Sequence, residues 1–262
     1  MSKKVLNYEV TGHGPVIILL HGYLSSLHYW DELRASLIEN NTVITIDLLG
    51  FGKSPKPKNI QYDYHDHIKW IERTIEYIGL DEPVVVAGHS MGALLALRYA
   101  ATHPSSIRRL LLLNMPLFSS IKEARSELTG TSLLYKLGLY RGLHRLVWPV
   151  MRHKACKLLM RRVLPVKLQG METYLFASNA AARSGSLKNV IEDQHSEKDL
   201  ADLRVPTTLV LGTKDRAVYL KNLRHINLTD SIKVLQTNTG HHTVIENLKL
   251  SAELLHARPS LV

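Results

Sequence analysis

Cysteine is almost absent from the sequence. The single residue of this type, Cys156, cannot form an internal disulfide bond or build a cysteine-based metal site. Long apolar runs are also missing, because the longest, such as Val16–Leu20, are far too short for a membrane-spanning helix. The first residues show neither the apolar stretch nor the cleavage site of a secretory signal peptide. We therefore expect a disulfide-free protein in the cytoplasm.

Acidic residues are missing from one long stretch. None lies between Glu127 and Glu172, and nine basic residues do: Lys136, Arg141, Arg145, Arg152, Lys154, Lys157, Arg161, Arg162 and Lys167. They nearly match the net charge of +10 of the whole chain. Two interpretations stay open: the cations solvate an outer surface, or they contact an anionic lipid surface or acidic substrates. We expect no nucleic-acid partner, since no recognisable nucleic-acid-binding module is present.

Runs of consecutive apolar residues predict buried strands. They lie at Val16–Leu20, Val43 to Ile46, Val84 to Ala87, Arg109 to Leu113 and Thr207 to Leu211, and a further strand is predicted at Ile232 to Leu235. Consecutive rather than alternating apolar residues are typical of parallel strands covered on both faces. Helical spacing of apolar residues predicts helices at 64–78 and 91–101. The fold class is therefore α/β, with a mostly parallel central sheet and helices on both faces.

The alternation of strands and helices breaks after Asn114. From 115 to 196 the chain shows helical patterns with glycine and proline punctuation, and no convincing strand. The α/β pattern resumes at about Asp199. We therefore predict a core formed by residues 1–114 and 197–262, and a helical cap inserted at 115–196.

The segment Gly-His-Ser-Met-Gly at 88–92 directly follows a predicted strand and precedes a predicted helix. This context strengthens the short G-x-S-x-G pattern, in which a strained turn exposes the serine hydroxyl as a nucleophile. The flanking glycines would let neighbouring backbone pass closely. The alternative is an ordinary turn with a helix-capping serine. We predict that Ser90 is the nucleophile.

A second segment, Leu-Leu-His-Gly-Tyr at 19–23, ends another predicted strand. Its loop can turn backbone N–H groups towards the serine. We expect the N–H groups of Tyr23 and Met91 to form an oxyanion hole. For His21 we favour a structural role, bonded to nearby loop backbone, over a catalytic one.

Two later segments supply an acid and a base. Asp215 follows the strand at 207–211, and the carboxyl ends of parallel strands meet at one edge of a sheet. His241 and His242 follow the strand at 232–235. The order serine, aspartate, histidine is the one expected for a nucleophile elbow of this type.

These motifs resemble those of the α/β-hydrolase superfamily, and its serine esterase and lipase branch in particular. The likeness covers about Tyr8 to Ser119 and Asp199 to Leu255. It includes Asp-Leu-Leu-Gly-Phe-Gly-Lys-Ser at 47–54, and Ser25, Ser26 and Trp30 after the His-Gly pair. The resemblance implies a structural role for Asp47. It also implies seven strands instead of eight, since there is room for only one strand before Gly14.

The resemblance also implies which residues act. The base follows a glycine and precedes a glutamate by five positions, which fits His241 between Gly240 and Glu246 better than it fits His242. Some relatives carry the acid after the preceding strand, but residues 114–116 contain no carboxylate, which favours Asp215.

The implied activity is hydrolysis of a small-molecule carboxylic ester through a covalent acyl-enzyme, without cofactor or metal. Serine at position 90 argues against dehalogenases and epoxide hydrolases of this fold, which use aspartate there. Thioesterase, lactonase, C–C bond hydrolase, peptidase and cofactor-free haloperoxidase activities stay open. So does a ligand-binding receptor with a vestigial triad.

Overall fold

The computed structural model describes residues 4–130, 153 and 177–256. Within them a seven-stranded sheet has the order β1-β3-β2-β4-β5-β6-β7. Its strands are β1 (Tyr8–Thr11), β2 (Val16–Leu20), β3 (Thr42–Ile46), β4 (Val84–His89), β5 (Ile107–Leu113), β6 (Thr207–Gly212) and β7 (Ile232–Thr237). Strand β1 is antiparallel to β3, and the other neighbouring pairs are parallel. The predicted seven-stranded, mostly parallel sheet is confirmed.

Helices connect these strands. The α-helices of the described residues are α1 (Asp31–Leu37), α2 (Tyr64–Ile78), α3 (Met91–Thr102), α4 (Ile121–Gly130), α5 (Ala180–Ser186), α6 (Ser196–Asp202), α7 (Ala217–Leu223), α8 (Thr243–Glu246) and α9 (Leu248–His256). A π-helix, Leu187–Glu192, continues α5, and 3₁₀ turns lie at Leu27–Trp30 and Pro104–Ser106. Among these helices, none has the length and apolarity that a membrane crossing requires.

Both faces of the sheet are buried. In β2, Ile17 and Leu19 face one apolar cluster, which includes side chains of α1 and α9. Ile18 and Leu20 face the other, which includes side chains of α2 and α3. Full burial of each such side chain contributes about 1.5–3 kcal/mol. The double cover explains the consecutive apolar residues and confirms the predicted fold class.

Helix α2 has the predicted bounds because its ends carry strong local signals. The Asp63 side chain accepts a hydrogen bond from the Asp66 N–H at 2.9 Å, which caps the first turn. At the other end Gly79 adopts a left-handed φ of 77°, which stops the helix.

The predicted cap is described only at its two ends. Helix α4 begins this region, and α5 and the π-helix end it. A bond of 2.8 Å from Arg125 Nε to Glu192 Oε2 joins α4 to the π-helix. Cys156 and the nine basic residues between 136 and 167 lie outside the described residues, so the cap and its bounds stay a prediction.

Candidate active site

Ser90 lies at the sharp turn between β4 and α3. Its φ of 53° and ψ of −119° form a backbone conformation that residues other than glycine rarely adopt. Such a conformation costs on the order of 1–3 kcal/mol and persists only where the surroundings enforce it. The Ser90 N–H donates to the Leu113 carbonyl of β5 at 2.9 Å. The turn therefore fixes the serine at the carboxyl edge of the sheet.

Close backbone contacts surround this turn. A Cβ at Gly88 would lie 2.3 Å from the Gly92 carbonyl oxygen, and a Cβ at Gly92 only 2.2 Å from the last carbonyl oxygen of β2. The expectation that these glycines let backbone pass closely is confirmed. Gly22 is adjacent to the nucleophile candidate, because a Cβ there would lie 3.2 Å from the Ser90 Cβ.

Three side chains from distant parts of the chain form a continuous hydrogen-bonded row. His241 Nε2 lies 3.0 Å from Ser90 Oγ, and His241 Nδ1 lies 2.8 Å from Asp215 Oδ2. A carboxylate only accepts, so the Nδ1–H donates to Asp215, and the Nε2 lone pair faces the serine hydroxyl. The Asp215 side chain is 6% exposed and that of His241 33%. The structure thus brings the three predicted residues together.

Asp215 is held by several donors. Its Oδ2 also accepts from the Asn114 side-chain amide at 3.2 Å, and its Oδ1 accepts from the Arg216 N–H at 2.8 Å. Burial opposes ionisation of this carboxyl. Its hydrogen bond to His241 and the charge of His241, followed by the bonds from Arg216 and Asn114, nevertheless hold the pKa of Asp215 below its ordinary value. The acid is therefore kept as the carboxylate that the row requires.

Asn114 is a site residue that the sequence analysis missed. It was noted only as a position without a carboxylate. Its fully buried amide also donates to the Gly240 carbonyl at 2.9 Å, and its Oδ1 accepts from the Thr243 N–H at 3.2 Å. One side chain therefore binds Asp215 and both flanks of His241. The polar residue at the end of β5, inside a strongly apolar run, was the only sequence signal.

His242 hydrogen-bonds to Tyr29, whereas His241 hydrogen-bonds to Ser90. Burial, followed by the charge of Glu246, raises the pKa of Tyr29 well above its ordinary value and keeps its phenol protonated, and the phenol oxygen lies 3.3 Å from His242 Nδ1. Burial, and after it the charge of the neighbouring His241, lowers the pKa of His242 to about 4. Glu246 accepts from the Gly240 N–H at 2.8 Å and from the His242 N–H at 3.4 Å. The glutamate five positions after His241 thus braces the loop that presents it.

His89 binds the backbone of the same loop. Its Nε2 donates to the His241 carbonyl at 2.7 Å, and its ring stacks on Tyr29 with centroids 4.6 Å apart. Burial, followed by the nearby charges of His241 and His242, lowers the pKa of His89 well below its ordinary value. It therefore stays neutral and structural.

The structural roles expected for His21 and Asp47 are confirmed. His21 Nε2 accepts from the Leu48 N–H at 3.0 Å, so its Nδ1–H donates to the Gly22 carbonyl at 2.7 Å. Burial lowers the pKa of His21 and favours this neutral form. The Asp47 carboxylate accepts from the Leu27 N–H, the Lys53 N–H and the Asn7 side chain, each at 2.8 Å.

The predicted oxyanion hole consists of two backbone N–H groups close to Ser90 in the chain fold. Met91 begins α3, and Tyr23 follows the glycine that contacts Ser90. The Tyr23 hydroxyl donates to the Arg183 carbonyl at 2.9 Å, which ties this loop to α5. The roles of the two backbone N–H groups, like those of the three side chains, stay predictions. Among the described residues, no group of three or more His, Cys, Asp or Glu could hold a metal ion.

Comparisons with known proteins agree with this architecture. A family model described as the alpha/beta hydrolase fold matches residues 15–134. Over 119 residues the chain is 40% identical to BODYGUARD 4, a probable lysophospholipase of Arabidopsis thaliana, covering 44% of this chain and 28% of that protein. Over 103 residues it is 35% identical to a haloalkane dehalogenase of Mycolicibacterium paratuberculosis, covering 38% and 34%. The matched segments span about a third or less of these relatives.

A solved structure extends the likeness to almost the whole chain. An esterase of Exiguobacterium antarcticum superposes with a TM-score of 0.73, covering 95% of this chain and 93% of that one. The sequence identity is 19%, so this likeness concerns the fold.

Proposed function

Because the chain belongs to the α/β-hydrolase superfamily, we propose that it hydrolyses carboxylic esters with Ser90 as nucleophile, His241 as base and Asp215 as the acid that orients the base. The observation that carries this proposal is the hydrogen-bonded row of the three side chains. The 3.0 Å between Ser90 Oγ and His241 Nε2 lies within the range for proton transfer from serine to histidine, and the 2.8 Å between His241 Nδ1 and Asp215 Oδ2 suits an acid that orients the base.

The first half of the reaction forms an acyl-enzyme. Ser90 Oγ attacks the ester carbonyl carbon while its proton passes to His241 Nε2. The carbonyl oxygen takes up the negative charge and is stabilised by the N–H groups of Tyr23 and Met91. The tetrahedral intermediate collapses, the alcohol leaves with the proton from His241, and the acyl group stays on Ser90.

The second half of the reaction restores the enzyme. Water gives a proton to His241 Nε2 and attacks the acyl carbonyl carbon, and the carboxylic acid leaves as Ser90 Oγ regains that proton. In both halves Asp215 holds the Nδ1–H tautomer and stabilises the imidazolium. The exposed third of His241 gives water and substrate access to the base.

Serine at the elbow separates this proposal from dehalogenation. A serine ester is formed by acyl transfer, whereas dehalogenases of this fold attack carbon with an aspartate carboxylate. Thioesters, lactones, peptides and C–C bonds place an electrophilic carbonyl before the same nucleophile. These alternatives, like a receptor that binds without turnover, are outcomes of the substrate test.

The test is a substrate series with a matched inactive variant. The wild-type protein should hydrolyse p-nitrophenyl esters of increasing acyl length, and lysophosphatidylcholine should be included because of the BODYGUARD 4 likeness. Ser90→Ala should lose on the order of 10⁶-fold in kcat. Binding of esters without turnover would favour the receptor, and preference for thioesters or lactones would redefine the substrate.

The basic stretch between 136 and 167 supports a second proposal, contact with an anionic lipid surface. Each Lys or Arg near such a surface contributes roughly 1 kcal/mol, and salt screens the attraction. Cosedimentation should show binding to anionic vesicles at low salt that weakens at high salt. Binding that is equal for anionic and neutral vesicles and independent of salt would contradict the proposal and indicate that the basic residues only solvate an outer surface.

A further inference from the structure

Arg216 contacts both the acid and the first helix of the predicted cap region. Its backbone N–H donates to Asp215 Oδ1 at 2.8 Å. Its guanidinium donates through NH1 to the Glu127 carbonyl oxygen of α4 at 2.7 Å, and the same nitrogen lies 3.6 Å from Glu127 Oε2. One residue therefore joins the carboxylate of the site to a helix that is 89 residues away in sequence.

The contact joins the Arg216 side chain to both the backbone and a carboxylate of α4. Its guanidinium donates to a main-chain carbonyl and faces the Glu127 carboxylate, so it supplies both a donor and a positive charge. Only 24% of the Arg216 side chain is exposed, so solvent screens the contact incompletely.

A second contact holds the beginning of α4 to the same element. Asn222, on α7, donates to the Leu117 carbonyl at 2.9 Å and to Glu123 Oε2 at 2.6 Å. Arg216 is the residue directly before α7. Thus α4 is bound at Glu123, in its first turn, by the end of α7, and one turn later at Glu127 by the residue directly before α7. A shift of α4 along α7 would displace the backbone of Arg216.

We propose that Arg216 is a positioning residue that couples the placement of α4 to the orientation of Asp215. This rests on the proposed function, in which Asp215 orients His241. When the guanidinium binds α4 at Glu127, the Arg216 N–H is held against Asp215 Oδ1, and Asp215 Oδ2 faces His241. Without that anchor, the loop after β6 relaxes and the carboxylate loses its fixed direction.

The test compares two ways of loosening α4. Arg216→Met keeps the apolar stem and removes the donors, and Arg216→Lys restores one charged donor. The control is the double variant Arg125→Ala/Glu192→Gln, which removes the bond between α4 and the π-helix and leaves Arg216 and Asn222 in place. The control changes both partners, so no unpaired carboxylate is left in the fully buried Glu192 position.

The kinetic readout is p-nitrophenyl acetate hydrolysis. A misplacement of about 1 Å in a catalytic group can cost roughly 100-fold in rate. We expect Arg216→Met to lower kcat by about 10- to 100-fold with little change in KM. Arg216→Lys should lie between that variant and wild type. The control should keep kcat within about twofold, because α4 stays bound to Arg216 and Asn222 and the anchor of the loop after β6 is intact.

The second readout does not depend on activity. The Nδ1–H proton that His241 donates to Asp215 gives a downfield ¹H resonance, assigned by its loss in His241→Asn. Arg216→Met should move it upfield and speed its exchange with water, and the control should leave it unchanged. If Arg216→Met does not fold, the intermediate behaviour of Arg216→Lys decides.

Unchanged kcat and resonance in the arginine variants would overturn the proposal, as would equal changes in the control. If the wild-type protein turns over no ester, the proposed function fails, and the resonance still decides the positioning role.

Discussion

Asn114 offers the sharpest test of what positions the acid and the base. Its buried side chain makes three hydrogen bonds, to Asp215, Gly240 and Thr243. Asn114→Gly removes all three while tolerating the local φ of 49°. The bond to the Asp215 carboxylate is worth about 1.5–3 kcal/mol, and each of the two neutral bonds about 0.5–1.5 kcal/mol. We therefore expect the free energy of unfolding to fall by about 2.5–6 kcal/mol.

Urea denaturation of wild type, Asn114→Gly and Asn114→Ala measures this loss. The alanine variant should lose about 1–2 kcal/mol more than the glycine variant, since a Cβ is disfavoured at positive φ. In both variants kcat should drop strongly, because Gly240 and Thr243 no longer hold the loop around His241. A loss below about 1 kcal/mol in Asn114→Gly would refute the reasoning that this amide ties the acid to the base.

The remaining predictions concern the two adjacent histidines, the acid and one further buried histidine. His241→Ala should abolish ester hydrolysis and His242→Ala should keep much of it, as steady-state kinetics will show; exchanged outcomes would make His242 the base. Asp215→Asn should lower kcat strongly without unfolding, since an amide favours the wrong tautomer, and a near-normal kcat would place the acid elsewhere. Burial lowers the pKa of His67 to about 3, so at pH values below 6.5 the unfolded chain binds a proton at His67 and the folded chain does not. The free energy of unfolding should therefore fall on acidification, by about 2 kcal/mol between pH 6.5 and pH 5. In urea titrations His67→Gln should lack this part of the pH dependence, and an equal pH dependence in wild type and variant would contradict the prediction.

Local sequence patterns were sufficient to predict the inner strands, helix α2 and the turn that carries Ser90. Burial on both faces forces apolar residues onto consecutive positions of the inner strands β2 to β6, so these strands could be located from the sequence. Helix α2 could be bounded because a capping aspartate and a left-handed glycine mark its ends. The elbow at 88–92 could be recognised because its glycines are required by close backbone contacts, those of Gly88 within the motif and those of Gly92 with the end of β2.

The contacts that orient the site left almost no local trace. Asn114 is 101 residues from Asp215, and Arg216 is 89 residues from Glu127. An asparagine after a strand and an arginine after an aspartate are both common in loops, so neither residue type points to its partner. These pairs follow only from the parallel sheet, which brings the carboxyl ends of β5, β6 and β7 together. Tertiary geometry, not sequence pattern, assigns them.

The position of Glu246 shows the intermediate case. Its spacing from His241 favoured the correct choice between two adjacent histidines for presentation to Ser90. The physical reason, bonds from Glu246 to the N–H groups of Gly240 and His242, became visible only in the fold. The spacing carried information about a loop brace and not about the base itself.

Labelling with a serine-directed fluorophosphonate tests the central claim, that Ser90 is an activated nucleophile, most directly. Intact mass and peptide mapping should show one adduct per chain, located on Ser90. Ser90→Ala, checked for native folding by circular dichroism, should stay unlabelled, and His241→Ala should label far more slowly. An adduct on another residue, or equal labelling of Ser90→Ala, would contradict the account.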